Sequence, residues 1–153
     1  MWRRLVERRA EGPPFAITEA ELDEVYRDPE LRREIVGRFK LTLQLDPRYS
    51  HLAHIVALQF LEAPDEAEAG YTATQLRQLA SDWWQEGFLN SSPDEFRSLL
   101  DEMCDLGVFR LVRDKYSFRN ANILLLLGSR SDVESELLSG PRKIPEAEYQ
   151  SAA

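Results

Sequence analysis

The stretch that decides the fold spans residues 70–128 and begins with GYTATQLRQLASDWWQ at residues 70–85. In this segment apolar residues recur at i, i+3, i+4, i+7 and i+8, which is the spacing of one face of an α-helix. The next segment, SSPDEFRSLLDEMCDLGVF at residues 91–109, repeats that spacing. The sequence therefore predicts two consecutive amphipathic helices. Their apolar faces consist of Leu76, Leu79, Ala80, Trp83 and Trp84 in the first helix and Phe96, Leu99, Leu100, Met103 and Cys104 in the second.

Both predicted helices carry a start signal, and the second also carries a stop signal. Thr72 is followed three residues later by Gln75, and Ser92 by Glu95. A hydroxyl residue followed at this spacing by Glu or Gln favours a capping box, in which each side chain accepts a hydrogen bond from the other residue's backbone N–H. Gly107 can adopt the left-handed conformation that ends many helices. We therefore expect helices that start after residues 72 and 92, the second ending at Gly107.

A short hairpin is predicted directly after the second helix. Residues 108–112 and 116–119 alternate apolar and polar side chains about a turn predicted at Arg113, Asp114 and Lys115. Period-two alternation on both sides of a short polar segment is typical of a β-hairpin. Two helices followed by a hairpin predict a mainly α fold with a small β-hairpin, a winged helix-turn-helix, in which the hairpin is the wing.

The remaining chain is predicted to add helices around this unit. Residues 49–61 are apolar nearly all round, which indicates a helix covered by neighbours on several sides. We interpret it as the first helix of the winged-helix unit, and residues 63–70 as a surface loop. The expected segments are a basic N-terminal helix or linker at 1–16, a helical extension at 17–47, the winged-helix domain at 48–128, and a short helix with a loose tail at 129–153.

Composition limits the classes of protein that fit. The net charge of −8 opposes binding of nucleic acid over the whole surface, and 43% hydrophobic residues allow a substantial core. The single cysteine, Cys104, excludes an internal disulfide and suits a reducing compartment. No apolar run reaches the length of a membrane span, and the N-terminus lacks a secretory signal. We therefore expect a cytoplasmic protein without membrane contact.

Five runs in this order resemble the C-terminal region of bacterial AAA-type P-loop ATPases: FKLTLQLDPRY, YTATQLRQLASDWWQEGF, DEFRSLLDEMCDLGVFRLV, KYSFRNANILLLLG and SDVESELL. The resemblance covers about residues 17–138 and is most specific over residues 116–128. It implies part of a helical lid followed by a winged-helix domain, with residues 17–47 as the lid-like part. It also implies that the nucleotide-binding core lies upstream in a longer protein, and that any ATPase activity resides there.

No catalytic, cofactor or metal site is predicted within this chain. His51 and His54 have a spacing that could supply two metal ligands, but the sequence offers no further histidine and only Cys104 as a thiol, so we expect structural roles. A buried helical cysteine is a poor nucleophile, which argues against Cys104 as a catalytic residue. Arg38 could be the arginine that ATPase lids direct at the nucleotide, although an exposed helical arginine is the commoner explanation.

Two functional hypotheses remain open. The first is docking on the protein's own ATPase core or on a partner protein, through the acidic face of the second helix or through the surface left by the lid-like helices. The second is weak, sequence-independent binding of duplex DNA through the basic wing. The candidate docking residues are Asp94, Glu95, Asp101, Glu102 and Asp105, and the candidate DNA-binding residues are Arg110, Arg113, Lys115 and Arg119.

We expect the 153-residue chain neither to hydrolyse ATP nor to bind it measurably. The sequence has no Gly-x-x-x-x-Gly-Lys-Ser/Thr loop to hold the phosphates, and its glycines are scattered singly. Isothermal titration calorimetry at micromolar protein measures this directly, with a P-loop ATPase in the same buffer as a positive control. A saturable ATP isotherm from the chain would contradict the prediction.

Overall fold

The computed structural model describes residues 18–140, so the predictions for residues 1–16 and for the tail after residue 140 lie outside the described residues. The chain divides into two compact units, the first ending at Leu41 and the second beginning at Thr42. The expected boundary between the helical extension and the winged-helix domain was at residues 47–48. The second unit also includes the helix that the sequence placed after residue 129.

Over the described residues the fold is mainly α with one small antiparallel hairpin, as the sequence predicted. None of the described helices is long and apolar enough to cross a membrane. In chain order the elements are α1 (Glu19–Arg27), α2 (Pro29–Leu43), α3 (Pro47–Glu62), α4 (Pro64–Ala69), α5 (Ala73–Trp83), α6 (Gln85–Phe88), α7 (Pro93–Asp105), β1 (Phe109–Val112), β2 (Lys115–Phe118), α8 (Asn122–Leu127) and α9 (Arg130–Ser139).

The first unit contains α1 and most of α2. A capping box starts α1, because the Glu21 backbone N–H donates to Thr18 Oγ1 over 3.3 Å and the Thr18 N–H donates to Glu21 Oε2 over 2.9 Å. Arg38 lies on α2 and donates to the Glu34 carboxylate over 2.9 Å, one turn away. Its side chain is 80% exposed. Arg38 is therefore an exposed arginine on the surface of α2.

Helix α3 is the centre of the second unit. Asp46 caps it by accepting from the Arg48 backbone N–H over 2.8 Å, and Pro47 occupies the first helical position. Every residue from 51 to 58 is buried. A helix buried on all sides needs neighbours on all sides, and α4, α5, α8 and α9 pack against it.

The predicted start and stop signals of α5 and α7 are confirmed. Thr72 and Gln75 form a reciprocal capping box at α5, and Ser92 and Glu95 form another at α7. Gly107 has a φ of 80°, and the backbone N–H groups of residues 107 and 108 return to the carbonyls of residues 104 and 103. These bonds satisfy carbonyls that the end of α7 would otherwise leave without donors.

The hairpin differs from the prediction in the length of its turn. Lys115 belongs to β2 and pairs with Val112, so the turn consists of Arg113 and Asp114 only. Their φ values are 52° and 61°. Positive φ at both central residues gives a two-residue turn whose twist matches that of the flanking strands. On the other edge of β2, Tyr71 exchanges two backbone hydrogen bonds with Tyr116, of 2.9 and 2.7 Å.

Three local predictions were wrong in detail. The segment predicted as a surface loop contains α4, which begins at Pro64 and buries Ala67 completely. Helix α5 ends at Trp83, which is 42% exposed and so contributes less to the core than its spacing suggested. The spacing of Ser131 and Glu134 predicts that the last helix begins after Ser131, but α9 begins after Ser129, which forms a capping box with Asp132.

Replacing Leu100 with Ala should lower the free energy of unfolding by about 2–5 kcal/mol, because Leu100 is fully buried on α7 and its truncation leaves a cavity. Ser98→Ala, on the exposed face of the same helix, is the matched control and should change it by less than about 0.5 kcal/mol. Urea unfolding followed by circular dichroism measures both. Equal losses would mean that the faces of α7 are assigned the wrong way round.

Candidate functional site

Helix α7 has an apolar inner face and an acidic outer face. Its buried residues are Phe96, Leu99, Leu100 and Met103. All five acids predicted as docking residues are exposed, and Arg97 is the one basic residue on this helix. The side chain of Arg97 is also exposed. The outer face of α7 is therefore strongly negative.

Three of these five acids also make hydrogen bonds within the molecule. Glu95 accepts from the Ser92 backbone N–H over 2.8 Å as part of the capping box. The Tyr49 hydroxyl on α3 donates to Glu102 Oε2 over 2.5 Å, and the Tyr116 hydroxyl on β2 donates to Asp101 Oδ1 over 2.8 Å. We call these last two contacts the tyrosine–carboxylate bonds. They tie α7 to the central helix and to the hairpin.

The tyrosine–carboxylate bonds hold both hydroxyls in the protonated form. The bond to Glu102, with burial, raises the pKa of Tyr49 to about 12. Burial, with the bond to Asp101, raises the pKa of Tyr116 well above its ordinary range. A neutral hydroxyl can donate to a charged carboxylate, so both contacts are present at neutral pH. Sequence reasoning missed them because Tyr49 lies 53 residues from Glu102.

Asp94 and Asp105 are the two predicted docking acids whose side chains make no hydrogen bond or ion pair among residues 18–140. They are eleven residues apart, which is close to three helical turns, so they lie on the same stripe of α7, about 16 Å apart along its axis. Asp101 lies on that stripe between them. We call Asp94, Asp101 and Asp105 the acidic stripe.

Three of the four bases predicted for the wing share one face of the hairpin. The register places Arg110 opposite Ser117 and Val112 opposite Lys115. Residues paired across a ladder, and residues two apart along a strand, point to the same side of a sheet. Arg119 follows Ser117 by two positions, and its N–H continues the ladder to the Val108 carbonyl. We call Arg110, Lys115 and Arg119 the basic face; all three are exposed.

Arg113 lies in the turn at the end of the hairpin and is also exposed. Next to it, Leu111 and Val112 are 47% and 55% exposed. The sequence predicted a basic wing but not these exposed aliphatic side chains. Their exposure follows from the position of the tip, which extends beyond the buried pair Phe109 and Phe118.

A polar cleft of about 540 Å³ lies beside the first half of α7. Glu86, Asn90, Glu95 and Glu102 line it together with Arg48. The Arg48 guanidinium binds the Asp46 carboxylate over 2.6 Å, so its charge is largely neutralised. The cleft therefore extends the negative character of α7, and the sequence gave no signal of it.

Both histidines of α3 are buried and bonded to backbone carbonyls. His51 Nε2 donates to the Ala80 carbonyl over 3.2 Å, and His54 Nδ1 donates to the Ser50 carbonyl over 2.6 Å. The His51 ring also contacts Trp84 and Phe88. Among the described residues, no three side chains of His, Cys, Asp or Glu are grouped to hold a metal ion.

Cys104 is half-buried on α7. Burial, reinforced by the charges of Asp101 and Asp105, raises the pKa of its thiol. The reactive form of cysteine is the thiolate, and a raised pKa suppresses it. The surroundings of Cys104 therefore make its thiol unreactive, which suits a residue that contributes to packing.

A comparison with models of known protein families gave no match, and searches of curated proteins and of solved structures gave no significant match either.

The stability of the protein should depend on pH through His51. Burial lowers the pKa of His51, although its bond to Ala80 acts in the opposite direction. Below about pH 6.5 the His51 side chain therefore binds a proton more readily in the unfolded chain than in the folded protein. The free energy of unfolding consequently falls as the pH decreases toward the folded-state pKa. The loss should be on the order of 1 kcal/mol for each unit by which the pKa is lowered.

Urea unfolding at about pH 7.5 and about pH 5.5 measures this dependence, the two values bracketing the ordinary histidine pKa. His51→Gln retains a donor for Ala80 but does not titrate, so its stability should fall less between the two pH values than that of the wild type. His54→Gln is the matched control on the same helix. If His51→Gln shows the same pH dependence of stability as the wild type, His51 is not its cause and the prediction is wrong.

Proposed function

We propose that the second unit is a winged helix-turn-helix that acts as a non-catalytic docking module. The order of its elements supports this: helix α3, the Tyr71 bridge, helices α5 and α7, then the hairpin of β1 and β2. In this interpretation α7 occupies the position of the recognition helix and the hairpin is the wing.

The observation that carries the docking proposal is the charge of the outer face of α7. In DNA-binding helix-turn-helix proteins the second helix enters the major groove and its side chains contact base edges. On α7 this face presents five exposed acids and the single base Arg97. Groove entry would bring those carboxylates close to phosphates and would forfeit the counterion release that drives DNA binding. A protein surface with basic residues complements this face.

The resemblance to AAA-type ATPases suggests the setting of this module. We propose that it is the accessory C-terminal part of a bacterial, cytoplasmic ATPase, and that ATP hydrolysis belongs to a core encoded upstream. The basic surface that it docks on would then belong to that core or to a partner protein. Docking through charge complementarity would fix the partner's orientation as well as its identity.

The alternative function is weak binding of duplex DNA through the wing. The alignment of Arg110, Lys115 and Arg119 on one exposed face favours it, because a row of bases can contact successive phosphates. Against it stands the net charge of −8, which repels DNA from most of the surface. We therefore propose docking as the main role.

Fluorescence anisotropy with labelled duplex DNA decides between the two functions. If the module docks on protein, the full chain should not bind DNA even at low salt. If instead the wing binds DNA, binding should be indifferent to sequence, and its log–log salt slope should be roughly −3 to −4, because up to four bases would neutralise phosphates.

Two variants identify the surface responsible for any signal. Arg113→Glu with Lys115→Glu would abolish binding through the wing, whereas Asp101→Asn with Asp105→Asn would strengthen it by removing repulsion. Salt-sensitive binding by the wild type that responds to the variants in this way would contradict docking as the main role. A flat titration for all three proteins is the result that the docking proposal predicts.

A further inference from the structure

Among the described residues, no carboxylate pairs with the basic face of the wing. Among residues 18–140, the side chains of Arg113, Lys115 and Arg119 make no hydrogen bond or ion pair. Arg110 donates only to the Ser117 hydroxyl, over 3.1 Å, and so retains its full charge. These four bases lie within one small hairpin on a protein that is otherwise strongly acidic.

The acidic stripe of α7 is similar in length to the basic face and opposite to it in the sign of its charge. The stripe extends about 16 Å from Asp94 to Asp105. Along β2 and just beyond it, Lys115 and Arg119 are four residues apart, which corresponds to about 13 Å. The stripe presents three carboxylates, with Arg97 on the same side of the helix between Asp94 and Asp101, and the basic face presents three bases in a row. Arg113 adds a fourth base at the tip, next to Asp114.

Within one molecule the two surfaces form no ion pair among the described residues. The Tyr116 hydroxyl bonds to Asp101, so the face of the hairpin that carries Tyr116 is turned toward α7. Side chains alternate along a strand, and Lys115 and Arg119 therefore lie on the opposite face. Lys115 is thus turned away from the acidic stripe, whereas the Arg119 guanidinium reaches the C-terminal end of α7, with Nη1 3.5 Å from the position that a Cβ on Gly107 would occupy.

We propose that the basic face of the wing docks on the acidic stripe of α7 in a second copy of this chain. The contact rests on the proposed docking function and names its partner. Because it joins two different surfaces, it is head-to-tail, and repetition of the contact builds either a ring or an open chain. At 0.1 M salt the Debye length is about 10 Å, so this local complementarity outweighs the repulsion between more distant acids.

Sedimentation velocity of the full chain over a range of concentrations, at about 0.05 M and about 0.5 M salt, tests the proposal. The wild type should self-associate beyond the dimer at low salt and dissociate at high salt. The wing variant, Arg113→Glu with Lys115→Glu, and the α7 variant, Asp94→Lys with Asp105→Lys, should each weaken association at least about tenfold, because each places like charges opposite one another.

Mixing the two variants provides the sharpest comparison. In each variant alone the two substituted residues face like charges on the neighbouring copy. In contacts between the two different variants, the new glutamates face the new lysines, and the unchanged wing faces the unchanged stripe. Equal amounts of the two should therefore restore association to near the wild-type level. Circular dichroism checks that both variants are folded, and Asp94→Asn with Asp105→Asn, which introduces no new charge on α7, should show an intermediate loss.

Three results would overturn the proposal: a wild type that stays monomeric at low salt, association that survives in both variants, or variants that fail to complement each other when mixed. A monomeric wild type that also leaves DNA unbound would still allow docking on a different protein. Anisotropy showing DNA bound by the wing would instead contradict the proposed function itself, so the two failures are distinguishable.

Discussion

The second unit depends on the burial of helix α3. Residues 51–58 have no face in contact with water, and a helix of this kind is stable only when other elements cover each of its sides. Helices α4, α5, α8 and α9 provide that cover. Helix α7 is joined to α3 by the bond from Tyr49 to Glu102. The hairpin, which carries the basic surface, is joined to α3 by the stacked rings of Phe60 and Phe118.

The same packing separates opposite charges that would otherwise attract each other. The inner face of α7 is apolar, so its acids can only face outward. Tyr116 turns one side of the hairpin toward α7, and the alternation of strand side chains places Lys115 on the other side. A fold that keeps these groups apart leaves both surfaces available to other molecules. This separation is the physical basis of the docking proposal.

The sequence predicted those features whose causes act over three or four residues. The capping boxes at Thr72 and Ser92 and the stop at Gly107 are local, and all three are confirmed. Features that depend on tertiary structure were not predictable in this way. The tyrosine–carboxylate bonds join distant segments, and the shared side of Arg110 and Lys115 depends on a register set by a two-residue turn without glycine or asparagine.

The central claim is that the bond between Tyr49 and Glu102 ties α7 to α3 in addition to the apolar packing of its inner face. A double-mutant cycle with Tyr49→Phe and Glu102→Ala, measured by urea unfolding, tests it most directly. The account predicts a coupling free energy of about 1 kcal/mol, as expected for a hydrogen bond to a charged group that is only partly buried. Additive losses with no coupling would contradict it, because α7 and its acidic stripe would then be held in place by apolar packing alone.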